Sequence, residues 1–356
     1  MDDDQVVLDS YIDTIRRINR ADTDLKYKLH TAKTLNEANE IIYYNKLDTA
    51  IIDLNLNNDN QSDPDNADGN QAIKELMHYF RMPIFIVSGE LSKLDSELES
   101  NNFIKTFSRE NFSRNNGLET IIPPLFNSKS IHYFSRDGFL EEKINKFYWD
   151  NLSKTINSWT EIGTKYPDDI EKILSRHTVA CLNEQLYVNG NIGSFDKYHP
   201  GEMYIIPPIK QHCHTGDIIQ KDGDLFIILN PACDIVNSGN LDYFILAKLI
   251  DFNFVQMLIE NINPQVDSQD DFFNRLNKKG KTRYQDCKTN KKDRFHYLPK
   301  FDTLPDKLID FQQIINKEKD EIRTTDRIAS ISSPFLKDII ARFSAYYARQ
   351  GQPNLL

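Results

Sequence analysis

Thr49-Ala50-Ile51-Ile52-Asp53-Leu54 is the stretch that decides the fold class. Its run of apolar and β-branched residues carries no charge on either face, the pattern of a strand covered by helices on both sides in a parallel sheet. Asp53 then stands at the strand's carboxyl end, the rim where ligands and chemistry collect in open α/β sheets. A carboxylate there is a nucleophile, a metal ligand, or simply the residue that turns the chain out of the sheet.

The neighbours of Asp53 favour chemistry. Asp2-Asp3-Asp4 precedes an amphipathic pattern over Gln5 to Arg20, with Val7, Leu8, Tyr11, Ile12, Ile15 and Ile18 at helical spacing. Leu25 to Ala32 alternates like a strand, and Thr34 is placed to cap a helix that buries Leu35, Ala38, Ile41 and Ile42. Pro83-Ile84-Phe85-Ile86-Val87-Ser88 reads as a second buried strand ending in a hydroxyl, and Phe103-Ile104-Lys105 as a third ending in an amine.

An acid cluster, a strand-end Asp, a strand-end Ser and a strand-end Lys, in that order with helices between them, resemble the receiver domain of two-component response regulators. The resemblance covers residues about 1–127 and implies a flavodoxin-like, doubly wound parallel sheet. It implies phosphoryl acceptance at Asp53 from a histidine kinase, with Ser88 and Lys105 contacting the phosphoryl oxygens. It also implies Mg²⁺ held by Asp2, Asp3, Asp53 and the backbone carbonyl of Asn55, with Asp4 opening the first helix. The chemistry agrees, because an anionic nucleophile attacking an anionic phosphate needs a hard cation to cancel charge.

Four departures from the family pattern accompany the match. The acids follow Met1 directly, where the family has a buried central strand, so an incomplete N-terminus is the expectation. The Asn- and Asp-rich stretch from Asn55 to Ala67 reads as an insertion, the segment between Ser88 and Lys105 leaves room only for a short fourth helix, and Thr106 stands where the family has proline. In the closing helix, Gly117 and Pro123-Pro124 are expected to interrupt the turns.

Residues 128–182 read as a helical linker. Phe139, Ile144, Phe147, Tyr148, Leu152, Ile156 and Trp159 form an apolar stripe that either packs as a connector or pairs with another copy of the chain. Residues 183–356 read as a small, mainly-β, barrel-like domain with a C-terminal helix over Pro334 to Tyr347. There Gly and Pro punctuate strands at Gly216 to Ile219, Leu225 to Leu229 and Tyr243 to Ala247. The runs Thr215-Gly216-Asp217-Ile218, Asn230-Pro231-Ala232-Cys233-Asp234-Ile235 and the tail from Ser332 resemble an uncharacterised SH3-like barrel family reminiscent of the PemK/MazF toxin fold.

Two further clusters in this half have two readings each. His212-Cys213-His214 with Cys233 is a zinc-ligand set by residue type, or a packed thiol and two strand histidines. The segment Arg275 to Arg294, with Lys278, Lys279, Lys281 and Arg283, is a nucleic-acid-contacting run with Tyr284 as a stacking ring, or a solvated loop. An alternative function follows: a nucleic-acid-binding or RNA-cleaving toxin-like effector regulated by a pseudo-receiver.

The net charge of -10 opposes whole-molecule attraction to nucleic acid or anionic membrane. Four scattered cysteines suit a reducing cytoplasm, and no apolar run approaches the about 18 residues of a membrane span.

Overall fold

The computed structural model describes residues 1–21, 26–56, 68–99, 101–114, 116–127, 130–135, 137–187, 198–237, 241–251 and 278–349. The chain divides into two compact units, Met1–Gly193 and Ser194–Leu356. The helices between about 130 and 187 thus fall within the first unit.

In the first unit, helix α1 (Gln5–Ala21) buries Leu8, Tyr11, Ile15 and Ile18, as its spacing requires. Helix α2 (Leu35–Tyr44) starts where the Thr34 side chain accepts the N–H of Glu37. Strands β1 (Ala50–Ile52), β2 (Ile84–Ser88) and β3 (Ile104–Ser108) form a parallel sheet in the order β1-β2-β3. The register sets Ile52 beside Ile86 and Ser88 beside Ser108. Helix α3 (Asp68–Tyr79) and the four-residue helix α4 (Ser96–Glu99) supply the crossovers, and helices α5 (Arg109–Arg114) and α6 (Gly117–Asn127) follow the last strand. One cluster packs Ile52, Leu54, Ala72, Ile73, Ile86 and Ile104 on one face, and a second packs Tyr11, Val87, Phe112, Leu118 and Ile122 on the other.

Two local expectations are corrected. Residues 26–32 form no strand, although the Ala32 carbonyl accepts the Asp2 N–H at 3.1 Å. Met1-Asp2 lies between these residues and β1. Met1 donates to Ile51 O at 2.8 Å and accepts from Asp53 N at 3.0 Å, one parallel rung opposite Ile52. A cavity of about 400 Å³ lies there, lined by Met1, Ile15, Ala32, Ile42, Ala50 and Phe126 among others. Leu25 and residues 57–67 of the expected insertion lie outside the described residues. The second correction concerns the prolines: the closing helix does break ahead of Gly117, between α5 and α6, but Pro123-Pro124 sit inside α6. Burial of Leu118 and Ile122 against Tyr11 and Phe112 outweighs the two missing N–H donors.

Helices α7 (Ser130–Phe134), α8 (Phe139–Phe147), α9 (Ser153–Lys165) and α10 (Ile170–Tyr187) follow, α8 running into α9 through a π-helical turn over Tyr148–Leu152. Phe147 and Trp159 both meet the His177 ring of α10, which folds this hairpin back on itself.

The second unit is built on an antiparallel sheet of seven strands. These are β4 (Tyr204–Ile205), β5 (Asp217–Lys221), β6 (Asp224–Ile228), β7 (Tyr243–Asp251), β8 (Phe295–Leu298), β9 (Lys307–Glu318) and β10 (Arg327–Ile331). Their order is β4-β10-β5-β6-β7-β9-β8. Asp222-Gly223 closes the β5–β6 hairpin with φ of 52° and 84°, the two positive dihedrals that a tight two-residue hairpin turn demands. Helix α11 (Ala232–Val236) lies between β6 and β7 and helix α12 (Lys278–Lys288) precedes β8, and helix α13 (Ser333–Ala348) buries Ile339 against a core that includes Phe311 and Ile331. The expected residues Gly190, Gly193, Gly239, Arg275 and the tail beyond Arg349 lie outside the described residues.

Among the described residues, no helix is long and apolar enough to cross a membrane.

Candidate functional site

The rung that Met1 makes with β1 carries Asp2 to the side of Asp53. Both carboxylates are buried, 1% and 3% exposed, and oxygens of Asp2, Asp3 and Asp53 lie within 4.8 Å of one another. The short path from Asp2 into α1 is held by its own acids: Asp2 Oδ1 accepts the Asp4 N–H at 3.0 Å, and Asp4 Oδ1 accepts the Val6 N–H at 2.8 Å. Asp4 therefore opens the helix, as expected from its position.

One side chain binds this cluster that sequence reasoning did not assign. Arg109 Nη2 donates to Asp2 Oδ2 at 3.1 Å and to Asp53 Oδ2 at 2.5 Å. Arg109 follows β3 directly and is the first residue of α5. Lys105, expected at that tip, is corrected: β3 runs on through Thr106, Phe107 and Ser108, which leaves Lys105 exposed and paired with Phe85 three residues before the end. The signal was present in the sequence, since Thr106 and Phe107 are strand formers, but the apolar run stops at Ile104.

Ser88 does stand at the tip of β2, fully buried, with its hydroxyl oxygen accepting the Glu90 N–H at 3.3 Å. Asn55 lies two residues past Asp53, and its side-chain oxygen accepts from Lys93 Nζ at 3.2 Å. Gly69, at the start of α3, donates its N–H to the Leu54 carbonyl at 3.3 Å. A Cβ on Gly69 would stand 2.5 Å from the Asp53 carbonyl oxygen, so glycine is what lets α3 close on the Asp53 turn.

The electrostatics are those of an under-compensated acid pocket. Burial pushes the Asp2 carboxyl up, with Asp53 adding to the rise and Arg109 opposing it. Burial likewise drags the Met1 amino group down to about 6, against the pull of Asp2 and Asp53. Tyr11 is raised to about 12, first by burial and then by the two carboxylates. The buried carboxylates of Asp2 and Asp53 share the single Arg109 guanidinium. Asp53 Oδ1 is buried with no hydrogen-bond partner among the described residues. Hard oxygen donors within reach of one another and an orphaned carboxylate oxygen fit a divalent cation of the Mg²⁺ type.

The other predicted sites do not assemble in this way. Cys213 is buried and its thiol is pushed up by burial, while Cys233 is exposed and donates to Asp234 Oδ1 at 3.5 Å. His212 and His214 precede β5 rather than lying in a strand, and their ring centres are 6.0 Å apart. Among the described residues, the Asp2, Asp3 and Asp53 group is the one with metal-ligand spacing. In the basic run, Tyr284 is buried under the Lys288 ammonium, which removes its ring from the stacking role expected of it. Lys278 is exposed and Lys281 half-buried, and the side chains of Lys279 and Arg283 lie outside what is described.

No family model, no curated protein and no solved structure matches this chain.

Proposed function

We propose that the first unit is a receiver-like domain of the flavodoxin type that accepts a phosphoryl group on Asp53 from a histidine kinase and passes the change to the second unit as effector. The observation that carries this reading is the acid cluster itself: three carboxylates within 4.8 Å beside the end of a parallel strand, with Asp53 Oδ1 buried and unpartnered among the described residues. A pseudo-receiver used only for protein contact has no need of converging acids.

In this reading Asp53 is the nucleophile. A carboxylate oxygen attacks the phosphorus of a phosphorylated imidazole, the P–N bond breaks, and the imidazole nitrogen leaves with the electron pair and takes up a proton. Asp2 and Asp3 hold a divalent cation with Asp53, and when bound it supplies the charge cancellation that lets two anions meet. Ser88 stands at the neighbouring strand tip, and in this reading its hydroxyl donates to the phosphoryl group, the kind of local change that biases a two-state element.

The test is incubation of the full chain with Mg²⁺ and a small phosphodonor, followed by intact mass. The reading expects addition of one phosphoryl group that is lost on Asp53→Asn and on removal of Mg²⁺. Absence of the modification, or its persistence in the Asp53→Asn chain, overturns it.

A further inference from the structure

Two atoms at the acid cluster are buried without a hydrogen-bond partner among the described residues, and they are of opposite kinds: the acceptor Oδ1 of Asp53 and the donor Nε of Arg109. A bound cation would satisfy the first and a bound oxyanion the second. Neither guest alone satisfies both.

The remaining oxygens show how the two guests are linked. Asp2 Oδ1 is engaged by the Asp4 N–H, while Asp2 Oδ2 and Asp53 Oδ2 are both held by the same nitrogen, Nη2 of Arg109. Of the four oxygens on the two buried acids, Asp53 Oδ1 is the one left open among the described residues. A hard divalent cation requires several oxygens at once, and a guanidinium on those same oxygens opposes it by like charge.

We propose that Arg109 is an internal counter-ion of this site: its guanidinium must release Asp2 and Asp53 for a divalent cation to bind there, and once released it takes the oxygens of a tetrahedral oxyanion bound beside the cation. This inference rests on the cation site of the proposed function and not on phosphoryl transfer. Arg109 is built for the exchange. Its side chain is 36% exposed and so has somewhere to go. Its helix is fixed from the other side by Phe112, packed with Tyr11 and Leu118, which makes the exchange a swing of the side chain rather than a shift of α5. The planar fork can engage two oxyanion oxygens together, which a lysine ammonium at the same place does less well.

The experiment reads cation affinity and arginine exposure, not activity. Calorimetric titration with Mg²⁺ and with Mn²⁺ should give binding at least tenfold tighter in Arg109→Met than in the unaltered chain, with Arg109→Lys in between. Because Arg109→Met leaves the buried acids without a counter-ion and can fail to fold, a second measurement uses the unaltered chain. Arg109 is modified by phenylglyoxal and mapped by mass spectrometry. Saturating Mg²⁺ should speed its modification several-fold, and Mg²⁺ with beryllofluoride should then slow it below the metal-free rate. Equal or weaker cation binding in Arg109→Met, or an Arg109 modification rate that Mg²⁺ leaves unchanged or lowers, overturns the proposal. Faster modification with Mg²⁺ in a chain that never takes up a phosphoryl group leaves the counter-ion role standing and removes the phosphoryl-acceptor reading.

Discussion

Gly69→Ala places a single methyl group at the point where α3 meets the Asp53 turn. The new Cβ would stand 2.5 Å from the Asp53 carbonyl oxygen, 2.6 Å from Leu54 Cα and 3.0 Å from the Leu54 carbonyl oxygen. All three contacts are backbone atoms, so no side chain can rotate aside. The nearest is about 0.9 Å inside the 3.4 Å at which ordinary contact begins, and either α3 or the Asp53 turn must move by that order. Two effects oppose each other. Alanine in place of glycine favours a helix by up to about 1 kcal/mol, and less near its first turn. Overpacking against unyielding atoms costs about 1–3 kcal/mol or more. The overlap wins, and we expect a net loss of about 2 kcal/mol. For a unit of this length that is a fall of roughly 4–8 °C in the first unit's Tm. Gly89→Ala is the control, since a Cβ there meets nothing within 4 Å. Differential scanning calorimetry of both variants separates the cases, with Mg²⁺ titration as a second reading of the displaced Asp53. A Gly69→Ala chain that melts with the Gly89→Ala chain and binds Mg²⁺ equally well would refute the close-approach argument.

Three further outcomes follow from other parts of the molecule. Lys105→Met should leave phosphoryl acceptance at Asp53 unchanged in an intact-mass time course, because Lys105 is exposed and three residues short of the β3 tip; a loss would return the amine to the site. Asp217→Ala should destabilise the second unit by about 3–5 kcal/mol in urea denaturation, since Asp217 Oδ1 accepts from Ser330 Oγ and its loss leaves the buried Arg327 uncompensated. Burial, with Arg342 adding to it, holds the His296 imidazole down at about 3 from its ordinary 6.5, although the Asp338 carboxylate stands 3.6 Å away. The unfolded chain therefore takes up the proton first. Stability from neutral His296 is full above pH 6.5 and is lost as pH falls toward the folded value, by about 2 kcal/mol at pH 5. Urea midpoints at pH 7 and pH 5 should show this loss in the unaltered chain and not in His296→Phe.

Much of the first unit is legible in the sequence because its signals are local. The Ile51-Ile52 run, the Ile84–Ser88 run and the period of α1 each announce their element, and Asp53 and Ser88 fall where the strand ends put them. Arg109 was hidden because a strand's last residue depends on its partner. Pairing of Ser108 with Ser88 extends β3 past the point where apolar character stops. Residues 26–32 alternate like a strand yet form none, although the Ala32 carbonyl accepts the Asp2 N–H, because a ladder is set by its partner and not by the alternation alone. In the second unit the Asp222-Gly223 turn and its two flanking strands were readable, whereas the strand order was not: β10 returns from far along the chain to lie between β4 and β5. Long-range pairing of that kind leaves no local mark.

The most direct measurement is ¹⁹F NMR of the full chain with beryllofluoride. With Mg²⁺ present, protein-bound fluoride resonances should appear, vanish when Mg²⁺ is chelated, and be missing in Asp53→Asn. Bound resonances that survive either change, or their absence from the unaltered chain at saturating Mg²⁺ and beryllofluoride, would contradict a phosphoryl-accepting site at Asp53.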